Sequence, residues 1–137
     1  MFANPSPDQI RSLLQEAKTI AVVGLSPRPD RPSYRVSRAM QGFGYRIVPV
    51  RPAVAEILGE KAWARLSEIP FAVDMVDVFR AGDQIDPIVD ECIALGVKRL
   101  WLQDGVINEA AAQRARAAGI TVVMDRCVWR DYMELVL

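Results

Sequence analysis

TIAVVGLSPRPDRPSYRVSRAMQGFGYRIVPVRP, residues 19–52, reads as one β-strand, a crossover and a second strand. The apolar run ends at Gly24, and a Pro- and Arg-rich turn follows. A helix opens near Ser33 with Val36, Ala39 and Met40 inward and closes at Gly42 or Gly44. A second apolar run, 46–50, is ended by Pro52, which cannot donate to a ladder. Two strands joined by a crossover helix lie parallel. Their carboxyl ends then share one sheet edge with the amino end of the helix, where free N–H groups and the helix dipole attract anions. A phosphate-bearing ligand is the first expectation.

The same periodicities continue on both sides. Upstream, Ser6-Pro7-Asp8-Gln9 has the form of a capping box, and Ile10, Leu13, Leu14 and Ala17 recur as one apolar helix face. Strand one is apolar throughout, as a strand covered on both faces must be. Downstream, 53–58 reads as a helical turn stopped by Gly59, and 62–69 as an irregular connection with Trp63 as a core anchor. Strand three spans 73–79, and a helix runs from Asp83 to Gly96 with Pro87 in its first turn. Strand four spans 98–103, Asn108 caps an Ala-rich helix ending at Gly119, strand five covers 121–124, and 129–137 forms a terminal helix. Asp74 and Asp77, three apart on a strand, fall on opposite faces and make no shared acid–base pair. The alternation predicts an α/β fold: one Rossmann-like, doubly wound parallel sheet of about five strands with helices on both faces, filling 1–137 as a single domain. By the crevice rule the ligand lies across GLS, VRP, VFR and LQDG at the strand ends.

Composition excludes several classes. The 137 residues are 51% hydrophobic and 25% charged, with 17 basic against 17 acidic side chains, so neither a nucleic-acid nor a membrane surface is expected. No apolar run approaches the roughly 18 residues of a span. Two cysteines, Cys92 and Cys127, make neither a disulfide framework nor a metal quartet and suit a reducing cytoplasm; Cys127 reads as a buried small hydrophobe. Within 26–52, however, six arginines face the single Asp30. Arg35, Arg38 and Arg46 read as solvated. Arg28, Arg31 and Arg51 flank the strand ends where a ligand would sit.

The glycine pattern G-x-G-x-x-G and an acid ending strand two mark dinucleotide sites, whereas here Gly24 stands alone and strand two ends in Arg51-Pro52. The Walker pattern is absent as well. Taken together, GLSPRPDRPSYRV, VPVRP, ILGEKAW, VDMVDVFR, LWLQDGV-x-NE and VVMDRC resemble the small stand-alone CoA-binding domain proteins. These are similar in turn to the CoA-binding N-terminal domain of the succinyl-CoA synthetase α subunit.

The resemblance implies coenzyme A, or an acyl-CoA, across the strand ends. It assigns Gly24, Leu25 and Ser26 to the pyrophosphate through backbone N–H groups and the Ser26 hydroxyl, beside Arg28, Arg31 and Ser33. It places Arg51 and Pro52 by the ribose phosphate and adenine. Val78, Phe79 and Arg80 then line the adenine or pantetheine side, and Gln103 to Gly105 border the thiol end. The chain departs from that pattern at Arg51, where Asn more often precedes the proline, and at Asp131-Tyr132, where Glu-His is frequent. Ser26 has a second reading as a turn residue, and Gln103 as the partner of a buried backbone group. No catalysis is expected, because the related synthetases pass a phosphoryl group through a histidine and this chain has none. An NAD(P)-binding oxidoreductase or redox-sensing domain, and a protein-interaction module with no identified partner, are the alternatives.

Overall fold

The computed structural model describes residues 2–137 and shows the expected α/β, Rossmann-like architecture. Helix α1 (Pro7–Glu16) begins at the anticipated capping box: the Ser6 hydroxyl accepts from the Gln9 N–H at 3.2 Å, and the Gln9 side chain accepts from the Ser6 N–H at 2.8 Å. Then follow β1 (Thr19–Val23), α2 (Pro32–Gly42), β2 (Arg46–Val50), the short β3 (Glu56–Ile57) and β4 (Glu60–Lys61), and β5 (Met75–Val78). The chain ends with α3 (Ile85–Leu95), β6 (Arg99–Leu102), α4 (Glu109–Ala117), β7 (Thr121–Met124) and α5 (Val128–Leu135). Among the described residues no helix is long and apolar enough to cross a membrane.

The main sheet is parallel, in the order β2-β1-β5-β6-β7. Outside β2, Trp63 adds a single parallel bridge to Val50, donating its N–H to the Pro49 carbonyl at 3.0 Å and accepting from Arg51 at 2.8 Å. One residue thus stands where the 3-2-1-4-5-6 order has its third strand. The chain leaves β1 toward β2 on one side and returns on the other as β5, so the topological switch point lies between β1 and β5. Alternation along each strand separates two cores. Ala21, Val76, Leu100 and Val122 meet α3 and α4, while Ile20, Met75, Trp101 and Val123 meet α1, α2 and α5.

The region 53–61 corrects the helical turn expected there. Leu58 (φ 56°) and Gly59 (φ 76°) form the two-residue loop of a hairpin whose Ile57 pairs with Glu60. Positive φ at both loop positions matches the twist of flanking strands, which a helical turn cannot do. Other shifts are at element ends: strand three shortens to Met75–Val78, and a 3-10 turn at Gly82–Gln84 precedes α3, with Pro87 in its first turn. Asp74 and Asp77 are indeed apart. Asp74 accepts the Lys18 and Thr19 N–H groups at 2.8 and 2.9 Å, tying the amino end of β1 to β5.

Candidate functional site

Beyond the carboxyl end of β1 the chain must turn at once, and Gly24 does so at φ 84°. A Cβ there would lie 2.5 Å from the Phe79 carbonyl oxygen, so the β1 and β5 ends approach as only glycine permits. That leaves a cleft of about 810 Å³ at the switch point, walled by Gly24 and Ser26, by Arg28, Arg31, Ser33 and Val36 at the start of α2, and by Arg51, Phe79, Arg80 and Gln103 at the other strand ends. Nothing caps α2. Arg31 takes the N-cap position without a side-chain hydrogen bond, Pro32 occupies the first turn, and no acid lies in it. Of its first-turn N–H groups, those of Arg31 and Tyr34 donate to the Arg28 and Arg31 carbonyls, so the helix presents the Ser33 N–H and its positive end to the cleft. Arg28 pairs with Asp30 at 3.3 Å, both well exposed, whereas Arg31, Arg51 and Arg80 have no acidic partner among the described residues. The one acid on the wall, Asp104, is held by Arg130 at 2.9 Å.

Several positions differ from the sequence expectation. The Gly24 N–H already donates to the Val50 carbonyl at 3.0 Å, and the Ser26 N–H to the Ser33 hydroxyl at 3.0 Å. Of the three turn amides only that of Leu25 lacks a partner among the described residues. The Leu25 side chain is fully buried and Val78 likewise faces the core, so neither side chain lines the cleft. Pro52 opens instead onto a neighbouring groove of about 460 Å³ that shares Arg80. Gly105 is held away by donating its N–H to Asp125 at 2.7 Å. Ser26 has both of its roles: its hydroxyl accepts from the Arg28 N–H at 3.1 Å, shaping the turn, while the residue borders the cleft.

Gln103 serves no backbone group with its side chain. Its Nε2 donates at 2.7 Å to Asp77, a carboxylate only 2% exposed. Burial pushes the Asp77 carboxyl up to about 7, against the opposing pull of hydrogen bonds from Gln103 and the Val78 N–H. Cys127 is half-buried on the cleft wall at the start of α5, not sealed in the core. Reading β7 as ending in a turn could have found it, since the next helix start must reach the same edge. Burial first, and then Glu91, push the other thiol, Cys92, to about 12.

The turn into α5 is braced by Asp131, which is fully buried and accepts from Arg126 Nε and Nη2 at 2.6 and 2.7 Å. The position where the resembling family often has Glu is thus part of an internal ion pair.

Comparison with known proteins adds the following. A family model described as "CoA binding domain" matches residues 18–133. The uncharacterized protein YneT of Bacillus subtilis is 46% identical over 125 residues, 91% of this chain and 93% of that protein. A solved structure of a hypothetical protein from Pyrococcus horikoshii superposes with a TM-score of 0.94 at 31% identity, covering 100% of this chain and 99% of that one. An ADP-forming acetate–CoA ligase of Archaeoglobus fulgidus is 29% identical over 83 residues, 59% of this chain but 12% of the ligase.

Proposed function

The chain belongs to the CoA-binding domain family, and on that premise we propose that it binds coenzyme A, or an acyl-CoA, in the switch-point cleft without catalysis of its own. The observation that carries this reading is the pairing of an uncapped helix start with Arg31, Arg51 and Arg80, none of which has an acidic partner among the described residues. Such a site suits a ligand with several phosphate charges. The apolar walls, Val36, Phe79 and Val106, suit the remainder of a long, partly apolar cofactor. The size of the cleft is within the usual range for small-molecule sites.

Calorimetric titration tests the ligand class. CoA should bind tighter than NAD, because Arg51 stands where an NAD site keeps an acid for its free ribose hydroxyls. Equal or reversed affinities would favour a dinucleotide-binding domain.

Arg51 supplies a sharper test. It lies half-buried at the end of β2, and its Nη1 is 3.4 Å from the Leu25 carbonyl, a contact loose enough to give way to a phosphate. CoA carries a 3′-phosphate that dephospho-CoA lacks. A charge-assisted contact contributes on the order of 1.5–3 kcal/mol, or roughly ten- to a hundredfold in affinity. CoA should outbind dephospho-CoA in the parent protein, and Arg51→Ala should remove most of that preference while leaving dephospho-CoA affinity nearly unchanged. Equal weakening of both ligands would make Arg51 a pyrophosphate contact or a structural residue.

A further inference from the structure

Asp77 lies in β5 and Gln103 directly follows the neighbouring β6, beside the switch point, and both project to the face covered by α1, α2 and α5. An ionised carboxylate can only accept, so the group that Gln103 turns toward Asp77 must be its nitrogen. The carboxamide oxygen is thereby turned away. It makes no hydrogen bond among the described residues, yet it is not sealed off, since the one fully buried side-chain polar atom there without a partner is the Ser37 hydroxyl. Gln103 borders the cleft while being only 3% exposed, so solvent reaches that oxygen from the cleft.

We infer that Gln103 is a specificity-determining residue whose oxygen, fixed by Asp77 as positioning residue, accepts a hydrogen bond from a donor on the ligand's pantetheine arm, an amide N–H or the terminal thiol. This rests on the CoA reading above. A bound group offering only acceptors at that point meets lone pair against lone pair and is disfavoured. The phosphates and the arginines fix the other end of the ligand, and Gln103 then sets how the arm lies.

The lock has a built-in release. Protonated Asp77 can donate to the Gln103 oxygen, allowing the amide to turn and present nitrogen to the cleft instead. Little else on this face titrates. The helices α1 and α2 turn only uncharged side chains inward. Tyr45 donates its hydroxyl to the Leu14 carbonyl, Asp131 is fixed by Arg126, and Cys127 lies on the wall. Around the mouth stand Arg31, Arg51 and Arg80, with Asp104 held by Arg130.

Two measurements decide the matter. The first is calorimetry at pH 8.5 with CoA and with 3′-phospho-ADP, which carries the adenosine and phosphates but no pantetheine. Gln103→Met keeps the side-chain length and removes the acceptor. It should weaken CoA by about three- to tenfold, the range of one neutral hydrogen bond, and leave 3′-phospho-ADP within about twofold. Asp77→Asn, which can bond Gln103 in either sense, should weaken CoA by a smaller factor.

The second is the side-chain amide resonance of Gln103 in the ligand-free protein. It should follow a titration that disappears in Asp77→Asn, which a merely space-filling Asp77 would not produce. Unchanged CoA affinity in Gln103→Met, equal loss for both ligands, or an amide signal indifferent to Asp77→Asn would overturn the inference and leave the CoA reading standing. Failure of the parent to bind CoA would instead bring down that reading itself.

Discussion

Gly24→Ala is expected to lower the thermal unfolding midpoint by roughly 8–20 °C, from two separable costs. The backbone at φ 84° is unfavourable for any L side chain by about 1–2 kcal/mol. The added methyl carbon would also lie 2.5 Å from the Phe79 carbonyl oxygen, a backbone atom that can move only if β1 and β5 separate, and overpacking of that kind costs about 1–3 kcal/mol. Gly96 provides the control. It has φ 70° but open space where its Cβ would stand, so Gly96→Ala should incur the first cost alone. Matching losses at the two positions would refute the close-approach argument. Because the same displacement moves Leu25 and Ser26, Gly24→Ala should also weaken ligand binding measured well below its midpoint.

The second large effect is the pH dependence contributed by Asp77. Its carboxyl is raised from an ordinary value near 3.8 to about 7 by burial, so between those values the folded protein holds a proton that the unfolded chain has released. A raised pKa of this sign gives stability that is full below pH 4 and is lost as pH rises through 7. From pH 5 to pH 8 the loss is on the order of 2–3 kcal/mol. Asp77→Asn cannot ionise and can still accept from Gln103. Relative to the parent it should therefore gain that amount across the same interval, read as the difference between two series of denaturant titrations at pH 5, 6, 7 and 8. A difference independent of pH would show that Asp77 is ionised throughout and that its burial is compensated by another group.

Much of the architecture was legible because it is written in short-range pattern. Ser6 and Gln9 lie three residues apart and need only each other to start α1. The apolar runs at β1, β2, β6 and β7 exceed what a half-solvated strand would carry, which makes the sheet parallel and covered on both faces. Where a short segment lacked such a pattern the reading failed. Ala53 to Gly59 holds residues compatible with a helical turn, and only the backbone, left-handed at Ala53 and Leu58 as well as at Gly59, makes it a hairpin.

The candidate site divides along the same line. That an arginine-rich helix start and glycine turn face the strand ends follows from chain order alone, since parallel strands put those segments at one edge whatever their detailed contacts. Which atoms there remain available for a ligand does not follow. Gly24 gives its N–H to Val50, 26 residues on, Ser26 gives its own to Ser33, and Asp77 takes the nitrogen of Gln103, 26 residues away, from the neighbouring strand. Sequence by itself determined the strands of the main sheet and the helices that cover it, their order and the edge at which a ligand can lie, because these depend on local propensity and on the period of apolar residues. Only the tertiary structure decided which donors and acceptors at that edge are already satisfied, because such pairings depend on register between strands, and a one-dimensional periodicity carries no register.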